Sequence, residues 1–390
     1  MKLIGIAMAV VLVSGVGVAG YVFGGFASTI SANAVEIDGG KELPPDIGAY
    51  EGGFDLLLVG VDTCEEKYAH LFGKRCSGGD ARGTLNDVNL LVHVSAEPRR
   101  ITAVSFPRDL MIPIPECEGA DGNTRSAMSK QALNVAYEHG GEKGGLNCVA
   151  KTITALTGED IEFAAKVTFG GVIEITDAIG GVDVCLATPI KDKFTGLDME
   201  AGDHTIQGLE ALQFLRTRKG VGDGSDLGRI GNQQQYMSSL ARKMISGEVL
   251  GNVPVMLRLA DTALQNLETS TSLADPMKVV QIALAVKSVP FEDIVFVQYP
   301  TLEDPSDRNK VVPNTEAATA LWDAISANKQ LQITHQNTKY DGVVVKEPEN
   351  PTPPDTASPT PTPGDVVDLP DTIKGTSAAV QTCSNGNVRR

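Results

Sequence analysis

From Phe54 to about Asn328 the chain alternates between short apolar runs bounded by turn residues and longer stretches with helical spacing. Phe54–Val61, Val88–Val94, Ile101–Phe106, Phe163–Phe169, Val182–Cys185 and Ile294–Gln298 have the length and β-branched content of strands. Ala132–His139, Leu146–Thr157, Val172–Ile179, Leu227–Ile245, Asp275–Val286 and Thr315–Ala327 read as helices. Glu97-Pro98 and Gly180-Gly181 mark turns between them. Strands interleaved with helices bury both faces of a sheet, so the expectation is an α/β fold. Its central β-sheet is covered by helices on both faces, in one large domain over residues 53–330.

Both ends are unlike this body. Leu3–Phe26 is apolar or small throughout and carries no charge. As a helix of about 1.5 Å per residue it is long enough for a hydrocarbon core of about 30 Å. It exceeds the apolar stretch of a signal peptide, and Ala32-Asn33-Ala34 is the one sequence after it that resembles a cleavage site. We therefore read residues 1–28 as an uncleaved transmembrane helix and 29–52 as a linker. Lys2 before it favours an N-terminus inside the cell and a body outside the membrane. Six cysteines, none in Cys-x-x-Cys spacing, fit an oxidising compartment. Several pairings are open. Neighbourhood in sequence favours Cys64 with Cys76 and Cys117 with Cys148, leaving Cys185 with Cys383 to tether the end of the chain. Glu347–Gly364 is rich in Pro, Thr and Ser, a composition that cannot bury a core. Residues 331–390 are thus expected as an extended tail, folded back through Cys383.

A formal net charge of -16 argues against nucleic acid as a partner. Against that background the basic knot between Phe214 and Gln235 stands out. Arg216 and Arg218 lie two apart at the end of an apolar run, so an extended segment would aim both the same way. A glycine-rich turn follows, then Asp226, with Arg229 and Gln233 four apart on one helix face. Arginine holds phosphate oxygens bidentately and keeps its charge, so the knot reads as a phosphate or pyrophosphate clamp. The plain alternative is surface pairing with some of the 49 acidic residues. Asp62 ends the first strand and Asp87 begins the second, where two carboxylates could share a hard cation such as Mg2+. Singly, each aspartate is more often a cap or turn residue. Arg108 leaves the third strand beside Asp109, a pair that alone could be structural. His70, His93, His139, His204 and His335 lack metal-ligand spacing and are read as structural.

Taken in order, Leu57-Leu-Val-Gly-Val-Asp62, Asp87-Val-Asn, Ser105-Phe-Pro-Arg-Asp109, Leu133-Asn-Val-Ala-Tyr137, Gly180-Gly-Val-Asp183, Leu215-Arg-Thr-Arg218 and Asp226-Leu-Gly-Arg-Ile-Gly-Asn-Gln233 form a pattern. The pattern resembles LytR-CpsA-Psr proteins, strongly over Phe54–Ile245 and more loosely to about Asn328. The resemblance implies a central mixed sheet in an α-β-α arrangement behind one membrane span. It implies a phosphotransferase that moves a glycopolymer from a polyprenyl-pyrophosphate carrier to peptidoglycan, forming a phosphodiester at the cell membrane. By position, Asp62 and Asp87 match its magnesium carboxylates. Arg108, Arg216, Arg218 and Arg229 match its pyrophosphate ligands, and Gln233 a polar partner. Arg108 also stands with Asp226 as a catalytic candidate, Asp226 being the candidate base or a helix cap. Two departures are Leu85 and Ala132, where that family often has Arg and Lys; Arg82 and Lys130 are nearby candidates to replace them. The cysteine placement and the Gly222–Asp226 loop resemble the actinobacterial branch. A hydrolase of the same lipid and a non-catalytic lipid-binding scaffold are the alternatives. A transcriptional regulator fits poorly with an acidic body and no helix-turn-helix pattern.

Overall fold

The computed structural model describes residues 34–40, 50–72, 76, 84–119, 122–245, 259, 262–263, 265–335, 339–346 and 365–388. The expected anchor Leu3–Phe26, Arg82 and the Glu347–Gly364 stretch lie outside them. Among the described residues no helix is long and apolar enough to cross a membrane.

The main sheet has seven strands: β1 (Phe54–Val61), β2 (Asn86–Val94), β3 (Ile101–Phe106), β4 (Phe163–Val167), β5 (Leu267–Thr269), β6 (Ile294–Gln298) and β7 (Gly375–Ser377). Their order is β5-β4-β1-β2-β3-β6-β7. β1, β2 and β3 form an antiparallel meander. β4 runs parallel to β1 and β6 parallel to β3, while the edge strands β5 and β7 are antiparallel to their neighbours. The sheet is mixed, as the resemblance implied.

Alternation along β1 explains why both faces need cover. Leu57, Val59 and Val61 point to one side, Phe54, Leu56 and Leu58 to the other. The first side packs on α1 (Ala136–Thr157) through Leu146, Val149 and Ile153. A second helix on that side contributes Leu321 and Ile325. The opposite face meets Met237 and Ala241 of a long helix together with Val279, Ile282 and Ala285 of another. In chain order the remaining helices are α2 (Phe169–Ala178), α3 (Gly208–Arg216), α4 (Asp226–Ile245), α5 (Pro276–Val286) and α6 (Thr315–Ser326). α1 and α6 thus cover one face, α4 and α5 the other.

Two local expectations change. The apolar run ending at Arg216, read as extended, is the last turn of the helix α3 (Gly208–Arg216), in which Leu212 and Leu215 recur at helical spacing. The segment expected as a helix from Ala132 instead begins with the end of a strand, Met128–Ala132, which pairs back on Met111–Ile114. A 3-10 turn at Leu133–Val135 leads from it into α1.

A smaller core gathers Val182, Val184, Leu186, Ile190, Phe214 and Tyr236. Its sheet runs Gly202–Ile206, Val182–Leu186, Thr382–Ser384, Val343–Val345. Residues 365–388, expected in the tail, therefore supply an edge of the main sheet and an inner strand of this second sheet. They also bridge the arginine-bearing loop: Gly222 N–H donates to Asn385 O at 3.0 Å and Val388 N–H to Gly222 O at 2.9 Å. Gly222 has φ +52°, and an added Cβ there would lie 2.6 Å from Tyr340 O, so only glycine fits the crossing.

Three disulfides, Cys64–Cys76, Cys117–Cys148 and Cys185–Cys383, join the cysteines as neighbourhood suggested. The last ties the C-terminal strand to the second sheet across 198 residues. Replacing Cys185 and Cys383 together by serine is expected to cost about 2–5 kcal/mol of stability, measured by urea unfolding. Hydrogen exchange at Gly222 and Val388 should rise with it. Unchanged exchange at both amides would show that the segment holds the loop without the bond.

Candidate active site

Between the sheet and the layer formed by α2, α3 and α4 lies a cavity of about 490 Å³. Leu58, Leu90, Val172, Leu212, Leu215, Met237 and Phe296 give it an apolar wall, as expected for a groove between the sheet and one helical layer. Asp87, Arg108, Arg216, Arg218, Arg229 and Gln233 line the same space. Helix and strand elements far apart in sequence thus bring together the four arginines and Asp87, while Asp62 and Asp226 are not among the residues lining the cavity.

A β-bulge sets the acidic side. Gly60 pairs with Val88 and Val61 with Asn86, so Asp87 is the extra residue on β2. A bulge frees a side chain from the ladder and re-aims it. Gly60 is required here as well, since a Cβ would meet Val88 Cβ at 2.8 Å. Asp87 Oδ1 then lies 3.1 Å from Arg108 Nη1, and its carbonyl accepts from Arg229 Nη2 at 2.8 Å. Asp62 sits just past β1, 5% exposed, and its Oδ1 accepts from Leu85 N–H at 3.0 Å. It is therefore a buried turn residue beside the bulge and does not line the cavity wall. Leu85 contributes its backbone there and no cation.

Asp226 is the first residue of α4 and is 7% exposed. The helix cap is Ser225, whose Oγ accepts from Gly228 N–H at 3.3 Å. Asp226 Oδ1 lies 2.8 Å from Arg229 Nη2 and 3.8 Å from Arg108 Nε. These contacts are ion pairs without hydrogen-bond alignment, since both Asp226 oxygens are buried with no hydrogen bond. The Nε groups of Arg108, Arg218 and Arg229 are also buried without one. Arg108 Nε faces the carboxylates of Asp226 and, at 3.5 Å, Asp109, whereas those of Arg218 and Arg229 have no such partner; buried donors of this kind are costly in a folded protein and point to an anionic ligand. Burial alone would lower the Arg108 pKa, but Asp87, Asp226 and Asp109 more than offset it and fix the positive charge.

The remaining arginines are positioned by two residues the sequence reading did not single out. Arg216, at the end of α3, stacks its guanidinium over Phe169 at 4.3 Å. Asp192, 2% exposed, holds the next turn: its Oδ2 accepts from Thr217 Oγ1 at 2.9 Å, Arg218 N–H at 3.1 Å and Gly220 N–H at 3.1 Å. Burial pushes that carboxyl up, but these donors and Phe194 N–H win and hold it below the ordinary aspartate value. Nothing in the spacing of Asp192, more than twenty residues before the loop, marks it in the sequence. Asp109 is likewise closer to the site than expected. Against its burial, the hydrogen bond from Lys310 Nζ at 2.6 Å and the charges of Arg108 and Arg218 depress its pKa. Gln233 Nε2 donates to Leu215 O at 3.0 Å, joining α4 to the end of α3. Lys130 pairs with Asp304 at 2.8 Å and does not line the cavity.

Asp192→Asn tests the latch. It leaves backbone donors short of a charged acceptor and is expected to cost on the order of 1.5–3 kcal/mol at neutral pH. A depressed carboxyl pKa gives stability that is present above the unfolded value near 4 and is lost as pH falls through the folded value. The gap between parent and variant in urea unfolding should therefore narrow as pH falls below about 4. A gap that stays constant with pH would remove the electrostatic account.

A family model described as LytR_cpsA_psr matches residues 22–330. The chain is 28% identical over 277 residues to the cell wall biosynthesis protein LcpA of Corynebacterium glutamicum, covering 67% of this chain and 52% of that protein. It is 26% identical over 255 residues to the polyisoprenyl-teichoic acid–peptidoglycan teichoic acid transferase TagT of Bacillus subtilis, covering 64% of this chain and 68% of that one. Protein gbs0355 from Streptococcus agalactiae superposes with a TM-score of 0.53 at 20% identity, over 71% of this chain and 87% of that chain. TagT bound to LIIa-WTA superposes with a TM-score of 0.51 at 20% identity, over 75% and 98%. These superpositions show a shared fold. The chain spans about half the length of the Corynebacterium relatives it matches.

Proposed function

Since the chain belongs to the LytR-CpsA-Psr family, we propose that it transfers a glycopolymer phosphate from a polyprenyl-pyrophosphate carrier to peptidoglycan. One observation carries this reading. A single cavity combines an apolar wall with four guanidiniums, and two of these, Arg218 and Arg229, keep buried Nε donors without a hydrogen bond. An isoprenoid chain with a pyrophosphate head has the matching halves. The ligand named for the TagT complex and the transferase name of that relative support the same class of substrate.

In the proposed reaction a hydroxyl oxygen of the peptidoglycan acceptor attacks the phosphorus that carries the glycopolymer. The new P–O bond forms as the bond from that phosphorus to the bridging oxygen breaks, and polyprenyl monophosphate leaves. The hydroxyl proton passes to Asp226, whose carboxylate oxygens are buried and hydrogen-bond free. Arg108 and Arg229 flank that carboxylate, and with Arg216 and Arg218 they hold the charge that grows on the phosphoryl and leaving oxygens. Asp62 and Asp87, brought to one end of β1 and β2 by the bulge, have the donor chemistry for Mg2+, which needs one or two carboxylates besides water and phosphate oxygens. When bound it would add positive charge at the pyrophosphate. Asp87 would then exchange part of its contact with Arg108. The apolar Leu3–Phe26 segment is proposed to anchor the protein in the cell membrane with this body on the extracytoplasmic side.

The test is incubation of the protein with Mg2+, a lipid-pyrophosphate-linked glycan and a peptidoglycan fragment, read by mass spectrometry. A glycan–phosphate–peptidoglycan adduct with release of lipid monophosphate is expected. Released glycan phosphate without adduct would mean hydrolysis. Bound but unchanged lipid would mean a scaffold.

A further inference from the structure

At the far end of β1 from the arginine cavity, Asp55, His93 and Glu159 converge. One ligand-capable atom of each lies within 4.8 Å of the others. Asp55 and His93 are register partners on β1 and β2. Glu159 follows Gly158, whose φ of 82° ends α1 and turns the chain toward β4. Asp55 is 5% exposed, and its Oδ1 is 3.1 Å from His93 Nδ1. Glu162 closes the group from behind, its Oε2 accepting from Asp55 N–H at 2.7 Å.

A structural histidine needs one acceptor, and Asp55 supplies it. That leaves unexplained why Glu159 is drawn to the same group. Among the described residues no lysine or arginine pairs with Asp55 or Glu159.

We infer that Asp55, His93 and Glu159 bind a divalent transition cation of the zinc class, which ties the β1–β2 pair to the turn between α1 and β4. Zinc takes imidazole nitrogen and carboxylate oxygen at about 2.0–2.2 Å, so two tetrahedral ligands lie roughly 3.3 Å apart. The 3.1 Å between Asp55 and His93 is already close to that. An imidazole ligand selects zinc over magnesium or calcium, which prefer oxygen alone. Three protein ligands leave a fourth position for water. Asp55 and Asp62 are separated by most of β1, on the order of 20 Å at about 3.3 Å per residue, so this site is distinct from the pyrophosphate cavity.

The test uses the full chain stripped with chelator, then dialysed against zinc chloride. Metal content and thermal unfolding are measured. About one retained zinc per chain is expected, with the midpoint raised by about 5 °C. His93→Asn and Glu159→Gln should each weaken zinc binding at least about a hundred-fold, while Asp87→Asn keeps it. Glu159 lies on a part-exposed turn, so Glu159→Gln keeps the inference testable if His93→Asn fails to fold. No zinc uptake by the parent, or uptake that survives Glu159→Gln, would overturn the inference. So would an equal midpoint shift with magnesium chloride, or loss of zinc in Asp87→Asn instead.

Discussion

Arg218→Ala is expected to weaken binding of a polyprenyl-pyrophosphate glycan by about ten- to a hundred-fold, the loss of one charge-assisted contact of about 1.5–3 kcal/mol. The position is the cleanest of the four arginines. Its turn is held through its backbone N–H on Asp192, which alanine retains. Its Nε is buried without a hydrogen bond, so the side chain is poised for a ligand. Arg229→Ala is a different experiment. It strands Asp226 and removes the donor to Asp87 O, and breaking a buried pair of this kind costs about 3–5 kcal/mol of fold stability. Arg216→Ala should fall between, because Phe169 presents that guanidinium and would lose its cation contact. Lipid binding measured by calorimetry, with thermal unfolding in parallel, separates the three. Parent-like affinity in Arg218→Ala at unchanged stability would end the clamp reading.

Asp226→Asn is expected to lower transfer by about a hundred- to ten-thousand-fold, the usual contribution of a general base. Binding should hold or tighten, since one negative charge leaves the neighbourhood of Arg108 and Arg229, which line the cavity. The cap explanation is weak in this structure, because Ser225 already caps α4. A drop in turnover could therefore not be assigned to fraying of the helix. Single-turnover transfer at saturating lipid is the measurement. If turnover in Asp226→Asn stays within a few-fold of the parent, Asp226 serves to hold Arg108 and Arg229 and the proton goes elsewhere.

The sequence made the sheet and its two covering layers legible because β1, β3 and β6 are short apolar runs buried along most of their length, as strands covered on both faces must be, and lie between stretches with helical spacing. The site arginines were legible for another reason: guanidiniums are conspicuous in an acidic chain. What stayed hidden was long-range. The bulge that re-aims Asp87 depends on the register of two strands joined by a long connection. Asp192 acts on Thr217, Arg218 and Gly220 across a hairpin and α3. Asp62 illustrates the limit from the other side, since the sequence places it at the end of β1 and only the fold shows that Leu85 N–H holds its Oδ1. The helix α3 was misread because only its Phe214–Leu215 end was weighed, where two adjacent apolar residues fit either period.

The bond between Cys185 and Cys383 also has a consequence in time. Cys185 leaves the synthesis machinery 198 residues before its partner. At about 5–20 residues per second that is a wait of roughly 10–40 s. Throughout that interval the inner strand Thr382–Ser384 and the segment that braces Gly222 do not yet exist. The arginine turn can form its local contacts with Asp192, but its brace comes only once Asn385 and Val388 have been made. A nascent chain should therefore lack the braced turn until synthesis has passed Val388, and for that interval Cys185 is without its partner Cys383.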